Sequence, residues 1–178
     1  RGIRRRGDRV LQRKKDLLNH LTENKLFPSD ELERQKLKIL NPYELRTKAL
    51  DEKLSKYEIG RALFHLNQRR GFKSNRKDVD NKKDTKLTSG QNNLKDAIKE
   101  GNFRTLGEYL QQRLLDKKTT HAKDGEENMN TLREMYENEY DLITNSQSKF
   151  HQDITPEIWQ EIRAIIFYQR PLKPQEKG

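Results

Sequence analysis

The chain has 178 residues, of which 37% are charged and only 30% hydrophobic, and it carries a net charge of +10. That length suits one domain, or one domain with an extension. The apolar share lies well below the roughly 45–50% of an average globular domain, so the expected core is thin and some elements should rely on a partner for burial. No stretch approaches the ~20 apolar residues of a membrane span, no long apolar run follows Arg1, Arg4, Arg5 and Arg6 as in a signal peptide, and the absence of cysteine excludes disulfides, thiolate metal sites and cysteine nucleophiles.

Sustained apolar/polar alternation is missing, while helix-start signals recur. The expected fold class is therefore all-α: a long arginine-rich helix over residues 1–24, then a multi-helix domain over 25–178. The first helix, predicted over 2–23, is two-faced. At 100° per residue Arg1, Arg5, Arg6, Arg9 and Arg13 fall on one side, and Ile3, Val10, Leu11, Leu17, Leu18 and Leu21 on the other. Residues 1–15 carry +7, from eight cations including Arg4, Lys14 and Lys15 against Asp8. Arg5, Arg9 and Arg13 recur one turn apart, roughly 6 Å along the axis, close to the phosphate spacing of a nucleic-acid strand. A guanidinium fork donates two hydrogen bonds to phosphate, which suits this surface to a polyanion. The blander readings are a solvated basic face or a membrane-surface helix; the apolar side holds no Trp or Phe, which counts against the latter. Gly7 either lets a strand approach closely or marks a kink.

Helices follow over 30–38 and over 42–49, the latter opened by Asn41-Pro42. Ser55 and Glu58 then form a capping-box pattern for a helix over 56–70, with Ile59, Leu63, Phe64 and Leu66 as its apolar face. This helix runs into a second basic segment: residues 61–77 carry +6 with no acid. Cations at a helix C-terminus complement its dipole, and Gly71 suits a sharp exit. That accounts for Arg69 and Arg70 but not for Lys73, Ser74, Asn75 and Arg76 beyond the cap, which read as nucleic-acid contacts.

Residues 77–90 and 117–130 are polar and are expected to be mobile loops. Between and after them, helices are predicted over 91–100 (ending at Gly101), 106–117 (Thr105 and Glu108 as a capping box), 131–146 (Thr131 and Glu134 likewise) and 156–168 (Thr155-Pro156). Tyr136, Tyr140 and Ile143, and Ile158, Trp159, Ile162, Ile165 and Ile166, recur at helical spacing and read as core. The acidic run 134–141 reads as a solvated helix face. His20, His65, His121 and His151 have no metal-ligand spacing, and His65 reads as packed or hydrogen-bonded.

The order of these segments resembles a known family. RGIRRRGDRVLQRKKDLL is followed by PYELRTKALDEKLSKYEIGRALFHLNQRRGFKSNRK, then GNFRTLGEYL, LREMYENEYDLI and IIFYQRPLK. The arrangement is similar to the bridge helix and recognition lobe of the type II CRISPR RNA-guided DNA endonucleases, most like the compact II-C branch, and the likeness extends over essentially the whole chain. It departs from the family pattern at Gly7-Asp8, where such helices continue with basic or long side chains. The resemblance implies guide RNA, target DNA in a heteroduplex and the remainder of the endonuclease as partners, in the bacterial cytoplasm, with a role in antiviral defence. It assigns guide-phosphate contacts to Arg5, Arg6, Arg9 and Arg13, and contacts to the guide scaffold and heteroduplex backbone to the segment from Gln68 through Arg69, Arg70, Lys73, Ser74, Asn75 and Arg76. Arg4 and Lys14 complete the candidate RNA-binding set. The family's nuclease sites, with their Mg2+, lie on other domains, so no catalytic residue, metal or cofactor is expected in these residues. The start without Met and the end PLKPQEKG suit a piece of a longer polypeptide. The alternative is a protein-interaction module whose basic face docks an acidic protein such as a phage anti-CRISPR inhibitor; a ribosomal-type RNA-binding protein would require a complete chain.

Overall fold

A computed structural model describes residues 2–70, 85–120 and 131–169, except for the side chains of residues 2, 3 and 85–91. The turn at Gly71, the candidate contacts Lys73, Ser74, Asn75 and Arg76, and most of both expected loops lie outside the described residues. Among the described residues eight helices follow in order: α1 (Gly2–Glu23), α2 (Glu31–Ile39), α3 (Pro42–Lys48), α4 (Lys56–Gln68), α5 (Thr85–Glu100), α6 (Leu106–Leu115), α7 (Arg133–Ser148) and α8 (Pro156–Ile166). All eight predicted helices are present. Residues 85–90, expected to end a loop, instead form the first turns of α5. Their KLTSG stretch has weak intrinsic helix propensity, and the helix is carried by its second half, where Leu94 is buried and Ile98 packs against the core.

Local chemistry sets most boundaries. Ser55 and Glu58 close a complete capping box: each side chain receives the other's backbone N–H, at 3.2 and 2.9 Å. Thr105 caps α6 through the Glu108 N–H, but the Glu108 carboxylate receives the N–H of Arg104 instead of that of Thr105. The Thr131–Glu134 box is not formed. The helix starts two residues later, with Leu132 as a cap lacking any side-chain acceptor, and Thr131 accepts from the Tyr136 hydroxyl instead. The left-handed residue after α5 is Asn102 (φ 56°), not Gly101. Gly101 is required for space: a Cβ there would meet the Phe103 ring at 2.3 Å. Lys25 and Lys117 take the same left-handed role after α1 and α6.

The core is continuous. α3 lies against α6 and α4, α1 crosses α8 and α4, α2 covers α4, and α7 touches both α4 and α6. Leu17 and Leu21 of α1, Ile59, Leu63 and Leu66 of α4, Tyr136, Tyr140 and Ile143 of α7, and Trp159, Ile162 and Ile166 of α8 meet there. Both predicted apolar stripes are thus core. Gly60 lets α4 pass directly over the turn after α1, where a Cβ would lie 1.7 Å from the Leu26 carbonyl oxygen. Gln147, fully buried on α7, holds the α3–α4 connection: its amide donates to the carbonyls of Ala49 and Glu52, both at 2.7 Å, and its oxygen receives the Leu54 N–H at 3.0 Å.

The acidic run on α7 is not wholly solvated. Glu139 is fully buried in a bidentate ion pair with the equally buried Arg46, and its carboxylate also accepts the Gly107 N–H at the start of α6. Burial works against the Arg46 charge, but Glu139 outweighs it and holds the guanidinium above its ordinary pKa. Arg46 also donates to His65 Nδ1 at 3.1 Å; because arginine cannot accept, this fixes the tautomer of the ring.

Candidate nucleic-acid interface

α1 is built in two halves. Its C-terminal half is anchored by Leu17, Leu18 and Leu21. In its N-terminal half every described side chain from Arg4 to Gln12 is exposed, including Val10 (46%) and Leu11 (62%). Among the described side chains, the apolar stripe predicted for the whole helix is therefore buried only in its second half, as the thin core implied. Arg4, Arg5, Arg6 and Arg9 stand out into solvent.

Arg13 sits where the two halves meet. Its Nε donates to Asn67 Oδ1 on α4 at 2.8 Å, which brings the first basic segment against the second. Lys14 lies over the Phe64 ring, 5.8 Å from its centroid, a cation–π contact with the same helix. Past the end of α4, Arg69 is exposed, whereas Arg70 turns inward and donates to the carbonyls of Ile166 and Tyr168 at the end of α8.

A cavity of about 720 Å3 opens between α1 and the end of α8. Arg6, Arg9, Arg13 and Arg70 line it, together with Arg133, the first residue of α7; Arg4, Arg5, Lys14 and Arg69 do not. Arg133 is only 9% exposed, its Nη1 donates to Gln169 Oε1 at 2.7 Å, and its Nε has no partner. Asp16 also reaches the lining, where it accepts from the Gln12 amide. Burial lowers the pKa of all three inner guanidiniums. Arg133 depresses Arg13 further, and burial, with Arg13 and Arg133 adding to it, brings Arg70 down to about 10. They remain charged at neutral pH, so the cavity concentrates positive potential. Nothing in the local pattern around Arg133 marked it: it is an isolated cation ahead of an acidic run, and only side-chain links between α7 and α8 and its end, Tyr140 to the Trp159 carbonyl, Arg163 to Asp141 and Arg133 to Gln169, carry it to the arginines of α1 and α4.

The fold and this surface define a class: an all-α lobe that presents an arginine-faced helix across a basic cleft. No protein-family model matches the chain. The CRISPR-associated endonuclease Cas9 of Campylobacter jejuni is 29% identical over 194 residues, covering 97% of this chain and 19% of that protein. The solved structure of Campylobacter jejuni Cas9 in complex with sgRNA and target DNA superposes with a TM-score of 0.81 over 97% of this chain and 24% of that one, at 23% identity. An assembly of St1Cas9 with sgRNA, target DNA and AcrIIA6 gives 0.74 at 25% identity, over 96% of this chain and 20% of that one. Streptococcus thermophilus Cas9 in complex with the AGAA PAM gives 0.64 at 26% identity, over 96% and 15%. The chain is homologous to type II Cas9 along nearly its whole length, and it spans about a fifth of the curated relative it matches.

Proposed function

We propose that this chain binds the sugar–phosphate backbone of a guide RNA and of its RNA–DNA heteroduplex, as the bridge helix and recognition lobe of a CRISPR RNA-guided DNA endonuclease. The observation that carries this reading is the row of outward arginines on the free half of α1, leading into the basic cleft at Arg13 and Arg70. In this division of labour base pairing reads sequence and the protein reads backbone and shape. An A-form duplex favours that arrangement, since its deep groove hides the base edges from side chains. Arg5, Arg6 and Arg9 engage successive phosphates, Arg13 fixes the strand against α4, and Lys14 and Arg69 extend the positive surface. The lobe itself is non-catalytic; nuclease chemistry and its Mg2+ belong to other domains of the enzyme.

The test is a binding titration over a salt series, with a cognate guide scaffold and an unrelated RNA duplex of equal length. Tighter binding to the scaffold at every salt concentration is expected. Arg9→Ala should weaken binding and flatten the salt slope by about 0.7–0.9, the loss of one phosphate contact. An unchanged slope for Arg9→Ala removes the direct contact, and equal weak affinity for both RNAs overturns the guide-specific reading.

A further inference from the structure

We propose that Arg13, Arg70 and Arg133 form a socket for a single phosphodiester group of the bound strand, and that filling it locks α1 against the α7–α8 pair. The proposal rests on the nucleic-acid reading above and adds a residue, Arg133, that lies far from both basic segments in sequence.

The three guanidiniums are positioned without being neutralised. Asn67 Oδ1 holds Arg13, the carbonyls of Ile166 and Tyr168 hold Arg70, and Gln169 Oε1 holds Arg133. All four acceptors are uncharged. Among the described residues none of the three arginines is in an ion pair; Asp16, the carboxylate in the cavity lining, accepts from the Gln12 amide instead, and Glu137, one turn along α7, acts on Arg133 only at a distance. A buried cation without a counter-ion is costly; Arg133 is buried, Arg13 and Arg70 are half-buried, and the three repel one another around one cavity. Neutral acceptors orient each fork and leave its charge available, whereas a carboxylate would cancel it. Arg133 adds a further sign: a side chain more than nine-tenths buried keeps its Nε unpartnered at a cavity it lines. A tetrahedral oxyanion satisfies such donors from several directions at once. Arg9 and Arg13, one turn apart on α1 and so roughly 6 Å along its axis, both line the cavity together with Arg6, which favours a phosphate within a strand over an isolated anion.

The free protein should therefore carry electrostatic strain that phosphate relieves, which reverses the usual sign of a buried-residue substitution. The test uses the 178-residue chain, Arg133→Gln, and Lys36→Gln as a charge-matched control on exposed α2. Melting temperatures are measured in sodium chloride, in sodium phosphate at equal ionic strength, and with a short single-stranded RNA. Phosphate should raise the melting temperature of the unchanged chain and of Lys36→Gln. Arg133→Gln should melt no lower in chloride, gain nothing from phosphate, and bind RNA several-fold more weakly with a salt slope smaller by about 0.7. A lower chloride melting temperature with the phosphate gain and RNA affinity intact gives Arg133 a purely structural role and overturns the socket. RNA binding with full slope in Arg133→Gln overturns the socket and leaves the nucleic-acid reading standing. A phosphate gain that needs Arg133, in a chain that binds no RNA, assigns the socket to free phosphate and removes both the phosphodiester and the nucleic-acid reading.

Discussion

Two helical glycines set opposite expectations for the same substitution. At Gly60 a Cβ would lie 1.7 Å from the Leu26 carbonyl oxygen, so backbone must move; Gly60→Ala is expected to cost about 3 kcal/mol despite alanine's better helix propensity. At Gly7 nothing lies within 4 Å, and Gly7→Ala should stabilise the chain by about 0.5–1 kcal/mol. Urea denaturation checks both. Helix α1 runs without a break through Gly7. A Gly7→Ala variant that is more stable but binds RNA less well would show that a strand passes over that position. The Arg46–Glu139 pair supplies a third case at this scale. Glu139→Gln strands a buried guanidinium and should cost about 3–5 kcal/mol, whereas Arg46→Met with Glu139→Leu should cost less than either single change. None of this pair was legible in the sequence. Glu139 sits in an acidic run that looks solvated, and its burial depends on α3 arriving from ninety residues away. The arginine face of α1 was legible because helical spacing alone displays it; Arg133 was not, because its role exists only after side chains link α7 to α8 and its end.

At the scale of elements, chemistry confined to one turn was read only in part, and chemistry shared between elements was read poorly. The Ser55–Glu58 box formed because both partners lie within a single turn. Thr131 and Glu134 have the same spacing, yet α7 begins later, with buried Leu132 as its cap. Gly101 was selected for the Phe103 ring packed beside it, a demand that turn statistics alone do not reveal. The buried amide of Gln147 shows the same limit: it satisfies three backbone groups of a connection that carries few such partners of its own. Helix α1 is the element in which both kinds of information meet. Its periodicity announced two faces, but only packing decided that the apolar face would be covered over half its length.

At the scale of the whole molecule, the two basic segments, forty-odd residues apart in the chain, become one surface through the Arg13–Asn67 contact. That same surface divides α1 into an anchored half and a half whose described side chains, Arg4 to Gln12, are all exposed and only border the cavity. A short helical segment with no tertiary support is only marginally stable in water, and Arg4, Arg5, Arg6 and Arg9 repel one another along it. Backbone amides from residue 6 to 12 should therefore exchange with deuterium much faster than those from 17 to 23 in the free chain. Adding RNA should carry the protection outward, one turn after another, from Arg13 toward the N-terminus. Uniform protection along α1 before RNA is added would mean that the free half is already rigid. Progressive protection would make the helix a template that completes its own folding on the strand it holds, so that part of the binding free energy is spent on order and affinity becomes sensitive to the helix propensity of residues that touch no phosphate.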